Sequence, residues 1–484
     1  KQGNDINKIN NSPYVFEYEL DFNKKKKLSE KKENEYLDKV NKYILFCKKI
    51  LEQSNHIVSL SEKKLVLSTY NKLLYGDENV SNRSLYGPNV VSLEALHIVE
   101  FLPNNYSITD KADGDRCLGI ILNRKLYLIF SNLEIKNSGI ELSTDKFNNS
   151  IVDGEYIFNN KYNKFIYALF DILYLSGENI QNEANLEVRY NKLNELVKEG
   201  FKFNFEFKKY NDKFNLDKID KYYTDDLKKY FKFLIDSLKK NNNDTFICQK
   251  YFIFSLGGLD CEIFRYSKIM WNIYSDISVE VPYILDGLIY TPLKQIYTRL
   301  SKEQKFKNYK WKPPDKNSID FYVKIEKDEN GVPINIYDDS IESNISGKTY
   351  KILNLYVGKM INNIEIPTLF KKNENLHIAK IGNVDGIIRD LEGDIIQDNT
   401  VIECYYSNDT SIDSEFRWIP IRTRYDKTES VLKHKKKFGN NAEIANAVWN
   451  SIKQNITIED LSKLGEDKFY EQELSEVKKK IDAV

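Results

Sequence analysis

In the stretch TDKADGDRCLGI (Thr109–Ile120), one lysine stands directly before Ala-Asp-Gly and an arginine follows shortly after. A lysine amine attacks phosphorus only when it is uncharged. With an ordinary pKa near ~10.4, on the order of one in a thousand is uncharged at neutral pH, and nearby positive charge raises that fraction. By itself the group Lys111, Asp113, Gly114 and Arg116 reads equally well as a charged turn between two strands. The rest of the chain has to decide between the two.

Further islands carry residue types that make sense beside such an amine. VDGEYIF places Glu155 near a strand end, and YALFDILY does the same for Phe170 and Asp171. LDGLIYTP supplies Asp286, and YKWKPP supplies Lys310 and Lys312. IPIRTRYDKT adds Arg422, Arg424, Asp426 and Lys427. Singly, a carboxylate at a strand end is more often a satisfied turn residue, a KxK pair a solvated edge, and an aromatic such as Phe170 a core residue. Together they offer acidic oxygen ligands for a hard divalent cation and a set of cations for phosphate.

The elements that must position these groups show in the patterning. PYVFEYELDF alternates, with Tyr14, Phe16, Tyr18, Leu20 and Phe22 on one face and Glu17, Glu19 and Asp21 on the other, predicting an acidic-faced strand. Tyr36, Leu37, Val40, Tyr43, Ile44, Cys47, Ile50 and Leu51 recur at helical spacing, predicting an amphipathic helix whose stripe packs. From about 95 to 318, short apolar runs (CLGIIL, KLYLIF, FIYALFDILYL, YILDGLIYTPL) alternate with loops and a few helices such as TDDLKKYFKFLIDSLKK, predicting an α+β domain of antiparallel sheets. Residues 319–430 change to several short strands (SIDFYVKIEK, YKILNLYVGK, TVIECYY), predicting a small β-barrel. Residues 431–484, with AEIANAVWNSI, return to helix, and 1–94 form an N-terminal extension.

Composition narrows the classes. The chain has 484 residues, enough for about three domains at roughly 150 residues each. With 41% hydrophobic residues it can build real cores. Lys+Arg and Asp+Glu are both 72, so any site for a polyanion is local. The five cysteines and four histidines lack metal-site spacing, which predicts neither zinc nor disulfides. No apolar run is long enough to span a bilayer and the first residues lack a signal-peptide core, predicting a soluble protein with no membrane partner.

The ordered set Lys111, Glu155, Phe170 with Asp171, Asp286, Lys310 with Lys312, and RTRYDK resembles the covalent nucleotidyltransferases, the superfamily of mRNA capping guanylyltransferases and of DNA and RNA ligases. DGLIYTP and YKWKPPDKNSIDF resemble the capping versions found in large DNA viruses. The resemblance implies a nucleotidyltransferase domain followed by an OB-fold barrel. It implies that Lys111 attacks the α-phosphate of GTP, leaves a lysyl-GMP intermediate, and passes GMP to a 5′-diphosphate RNA. Glu155 and Asp286 would position Mg²⁺ or Mn²⁺, Phe170 would stack on guanine, and Arg116 would contact ribose or the acceptor's phosphate. Lys310 and Lys312 would hold the α-phosphate, and Asp113 and Gly114 would border the nucleotide. Arg422, Arg424, Asp426 and Lys427 would meet the leaving phosphates if the barrel closes over the pocket, with Asp320 completing the closed site. Lys250 is either a base contact or a solvent-facing lysine.

The acidic strand resembles one from a tunnel-type RNA triphosphatase and reads equally well as an exposed edge, so a triphosphatase and a cap methyltransferase enter only as possible further domains or subunits. The expected setting is cytoplasmic, in a viral factory or virion. An ATP-dependent polynucleotide ligase using the same lysine and a non-catalytic RNA-binding subunit are the competing readings.

Overall fold

The computed structural model of the chain describes residues 30–51, 54–80, 85–207, 210, 215–338 and 349–482. The acidic strand expected at residues 14–22 lies outside them. Residues 1–57 and 58–484 form separate compact units. The first contains the expected amphipathic helix, Glu30–Leu51. Its stripe does not pack as expected: Leu37, Tyr43, Ile44, Ile50 and Leu51 are exposed.

In the second unit the first sheet runs in the order Val90–Ser92, Asn308–Trp311, Leu285–Pro292, Tyr106–Ala112, Ile253–Phe254. The second runs Ile135–Glu141, Lys125–Phe130, Asp115–Leu122, Ser150–Asn159, Lys164–Leu175, Glu178–Asn179, with Thr245–Gln249 added beside Lys164–Leu175. Its apolar runs look continuous because both faces are covered. Cys117, Ile121, Leu126 and Leu128 enter one core, and the intervening Leu118, Ile120, Tyr127 and Ile129 enter another. A strand buried on both sides has no reason to alternate polar with apolar residues.

A third sheet runs Ile336–Tyr337, Thr349–Ile361, Ser318–Ile325, Val401–Tyr406, Trp418–Thr423, and Thr349–Ile361 also pairs with Ile364–Leu369 and Ile378–Gly382. Its core is separate, built on Ile319, Phe321, Val323, Leu353, Leu355 and Trp418. The fold class is the expected α+β with antiparallel sheets, and the third sheet is consistent with an OB-type half. Two pairings depart from it and run parallel: Val90–Ser92 with Asn308–Trp311, and Lys164–Leu175 with Thr245–Gln249.

Helices brace these sheets. Leu216–Lys240 buries Ile219, Tyr223, Leu227, Tyr230, Leu234 and Leu238 on one stripe, the spacing its sequence predicts. The C-terminal helices serve two cores. Ala442–Gln454 inserts Ala445, Val448, Trp449 and Ile452 beneath the third sheet, whereas Ile456, Leu461, Leu464 and Val477 join the core of the first two. Polar bonds tie the same segment to the first sheet: Ser451 Oγ donates to Leu93 O at 3.1 Å, and Trp311 Nε1 donates to Ile456 O at 2.8 Å.

Gly287 has φ +145° and lies opposite Lys111, at a register shift in the strand Leu285–Pro292. A Cβ there would stand 2.1 Å from the carbonyl oxygen of Trp311, so a side chain meets both backbone strain and a backbone clash. Gly287→Ala is expected to cost about 2 kcal/mol or more of unfolding free energy, read from urea denaturation; a loss under about 0.5 kcal/mol would show the strand relaxes easily.

Candidate active site

The first two sheets together line a cavity of about 180 Å³. Lys111 and Lys310 reach it from the first sheet, Arg116, Glu155 and Phe170 from the second, and Lys250 from the loop after Thr245–Gln249. Residues separated by up to about two hundred positions thus share one wall. Asp286 stands beside it through its contact with Lys111, and Lys312 through Asp286.

Those contacts follow from register. Leu288 pairs with Trp311 and Gly287 with Lys111, so Lys111 and Lys312 flank the position where a side chain is missing. Asp286, the residue skipped by the register shift, accepts from the Lys111 ammonium and from Lys312 Nζ at 2.8 Å. Burial alone would raise the Asp286 carboxyl, but the two lysines hold it below the ordinary range. The sequence reading put Asp286 on a metal; here it bridges two ammonium groups.

Lys310 behaves differently. It is half-buried, and among the described residues no carboxylate pairs with it. Burial, then repulsion from Lys312 and Lys111, lowers its pKa to about 8, with Asp286 and Asp320 opposing. The crowding of cations anticipated around Lys111 therefore acts visibly on its neighbour.

Lys250 is buried, which removes the solvent-facing reading. Its ammonium lies 2.6 Å from Glu155 Oε2 and 3.3 Å from Asp110 Oδ2, and it donates to Asp110 O at 3.1 Å. Burial would lower its pKa, yet Asp110 and Glu155 raise it above the usual lysine range. Burial raises Glu155 in spite of Lys250.

Arg116 is held rather than free. Nε and Nη2 donate to the two oxygens of Asp153 at 3.1 and 2.7 Å, and Nη1 donates to Pro88 O at 2.7 Å. Tyr297 Oη donates to the same Asp153 at 2.7 Å. The guanidinium carbon then sits 6.0 Å from the centroid of the half-buried Phe170 ring. Behind Phe170, Asp171 forms a buried bidentate pair with Arg189 at 2.9 and 3.0 Å. Asp113 and Gly114 occupy the turn between two strands, outside the cavity lining. Gly114 is required by close packing, since a Cβ would lie 2.6 Å from Ile157 Cγ1.

The remaining expected residues form a second cluster, on the third sheet. Asp320, buried at 6% exposure, receives Lys427 and, at 3.3 Å, Arg424 Nη1. Arg422 Nε donates to Glu403 at 2.8 Å, and the exposed Asp426 lies 3.5 Å from Arg424 Nε. The two clusters are within electrostatic reach of each other: Asp320 acts on Lys310, and Asp113 acts on Arg422.

Asp110, Asp153, Arg189, Tyr297 and Glu403 were not singled out from sequence. Asp153 carried a readable signal, standing two residues before Glu155 and so on the same strand face. Tyr297 and Arg189 carried none. For a divalent ion, no group of three or more His, Cys, Asp or Glu gathers among the described residues. Glu155 and Asp286 are two oxygen donors, the number with which Mg²⁺ is held when substrate phosphates supply further ligands.

Comparison with known proteins gives the family. The mRNA capping enzyme catalytic domain matches residues 38–241, and the mRNA capping enzyme C-terminal domain matches residues 316–462. A probable mRNA-capping enzyme of Acanthamoeba polyphaga mimivirus is 37% identical over 437 residues, which cover 88% of this chain and 37% of that protein. An mRNA-capping enzyme of Danio rerio is 26% identical over 388 residues, covering 77% of this chain and 48% of that one. The chain thus spans less than half the length of either relative. A mycobacterial DNA ligase D complexed with ATP and MES gives a TM-score of only 0.32 at 11% identity, over 69% of this chain and 95% of that one. The chain belongs to the mRNA capping enzyme family.

The depressed Lys310 has a consequence for stability. Below pH about 8 the folded chain carries a crowded ammonium, and above it the folded chain sheds that proton while the unfolded chain keeps it up to ~10.5. More protons on the unfolded side means that stability from this group rises with pH across that window. Lys310→Met is therefore expected to gain stability over the parent at pH 7 and to lose that advantage by pH 10, in denaturation curves at both; a pH-independent difference contradicts the assignment.

Proposed function

We propose that the chain is a GTP-dependent mRNA guanylyltransferase. The observation that carries this reading is Lys111 in the wall of one cavity with Lys310, Glu155 and Phe170, its ammonium held by the carboxylate that also holds Lys312. Lys111 first loses a proton from its ammonium to solvent; its neutral amine attacks the α-phosphorus of GTP, a nitrogen–phosphorus bond forms, the bond to the pyrophosphate oxygen breaks, and a second proton leaves the nitrogen to solvent. GMP then passes from the lysine to the terminal phosphate of a 5′-diphosphate RNA, restoring the amine.

The remaining residues take roles that fit their surroundings. Phe170 stacks on the base, with Arg116 fixed above its ring by Asp153 and facing ribose or acceptor phosphate. Lys310, without a carboxylate of its own, is free to hold the α-phosphate, and Lys312 joins it as negative charge grows. Asp286 keeps Lys111 oriented until attack. Glu155 and Asp286 would hold Mg²⁺ or Mn²⁺ together with phosphate oxygens, and such an ion offsets phosphate charge when bound. Lys250 contacts the base from the cavity wall, and Asp113 and Gly114 shape the turn at its mouth.

Arg422, Arg424, Asp426 and Lys427, with Asp320, serve the leaving phosphates. In this reading the β- and γ-phosphates replace Asp320 and Glu403 as partners of the arginines and lysine, and release of pyrophosphate restores the internal pairs. The nucleotidyltransferase domain would span 95–318 and the OB-fold domain 319–430, between extensions at 1–94 and 431–484. Triphosphatase and cap methyltransferase functions would belong to other domains or subunits, and the setting would be the cytoplasm, in a viral factory or virion.

Incubation with α-labelled GTP is expected to give a protein adduct that survives denaturation and alkali and is released by hot acid, as a phosphoramidate is, and labelling by ATP alone would instead identify a ligase. Lys111→Ala is expected to abolish the adduct with the fold intact by circular dichroism; retained labelling would move the nucleophile elsewhere. Arg424→Ala or Lys427→Ala is expected to slow adduct formation roughly tenfold to a hundredfold while sparing GMP transfer from a preformed adduct, and equal loss in both half-steps would remove these residues from the pyrophosphate role.

A further inference from the structure

We propose that Asp110 is a specificity-determining residue, a carboxylate that takes the N1–H and 2-amino group of guanine beside Lys250. This rests on the reading of the cavity as the nucleotide site and deepens it by naming what selects the base.

Asp110 lines the cavity immediately before the proposed nucleophile, and it is only 2% exposed. One of its oxygens receives Thr109 Oγ1, at 3.4 Å. The other, Oδ2, makes an ion pair with Lys250 Nζ at 3.3 Å but receives no hydrogen bond of good geometry from the described residues. A buried carboxylate oxygen held by a single long ion pair retains acceptor capacity, and a ligand donor that fills it gains a hydrogen bond. Asp110 and Glu155 both face the ammonium of Lys250, which leaves their remaining oxygen lone pairs open to donors from a ligand.

The chemistry of the two neighbours fits one base edge. Guanine presents the O6 acceptor next to the N1–H and 2-amino donors. An ammonium and a carboxylate 3.3 Å apart present the complementary order, donor then acceptor. Adenine reverses it, with a donor at position 6 and a bare acceptor at N1, so with the ribose fixed it meets like with like at both groups. A site built to pair a polar group rejects the analogue lacking it far more strongly than a merely apolar pocket does.

Two base analogues test this. Inosine triphosphate lacks the 2-amino group, and xanthosine triphosphate carries an oxygen in its place. The parent chain is expected to form adduct from inosine triphosphate with kcat/KM at least tenfold below that for GTP, and to give almost none from xanthosine triphosphate. Asp110→Asn exchanges an acceptor for a donor, so it is expected to raise the xanthosine-to-guanosine kcat/KM ratio at least tenfold. Equal use of GTP and inosine triphosphate by the parent overturns the proposal, as does an unchanged ratio in a variant that still labels. If Asp110→Asn labels with no nucleotide, the inosine comparison on the parent decides. Failure of the parent to label with GTP at all would defeat the guanylyltransferase reading itself, a distinct outcome from GTP labelling that is indifferent to the 2-amino group.

Discussion

The site depends on one carboxylate held between two ammonium groups. Asp286 reaches both Lys111 and Lys312 because Gly287 leaves the sheet bare between them and because the register shift turns the aspartate aside. Two lysines on either side of the strand Leu285–Pro292 would otherwise repel across a half-buried gap. With the carboxylate between them, they stay together and point at the same place. A longer residue at 287, or a regular register, would separate the three groups whatever their identities.

Around that clamp most of the charge is matched in advance: Arg116 by Asp153, Arg189 by Asp171, Lys250 by Glu155 and Asp110, Arg424 and Lys427 by Asp320. Buried pairs of this kind add little net stability, but breaking one strands a charge, so they fix geometry firmly. Lys310 is the exception, a cation lining the cavity without a carboxylate partner among the described residues. In the proposed function it is the place where an incoming phosphate gains most. The pairs on Asp320 and Glu403 are half-exposed on their cationic side, so they can be exchanged for phosphate oxygens at smaller cost.

The C-terminal helices give this arrangement its frame. Ala442–Gln454 closes the core under the third sheet and is bonded through Ser451 to the backbone beside the first, while the following helices complete the other core. The two clusters of charge, one in the cavity and one on the third sheet, are therefore held within electrostatic reach by a segment that contributes no residue to either. Any movement that brings them closer has to carry this helix along or bend about its end.

Much of this was readable before any coordinates. Residue types set the chemistry: a lysine before Ala-Asp-Gly, acidic strand ends, paired lysines and an arginine-rich motif, in an order that marks the family. Apolar runs and their periods gave the α+β class, the helical stretch 224–240 within the longer helix Leu216–Lys240, and the strand-rich stretch from 319 onward, because local patterning follows burial directly. What the chain's order could not reveal was partnership. That Asp286 serves two lysines, that Lys250 is buried against Asp110, and that Arg116 is locked by Asp153 and Tyr297 all depend on strand register and on sheets meeting across a cavity. Those distances are set by folding, between residues far apart in sequence, and no spacing along the chain encodes them.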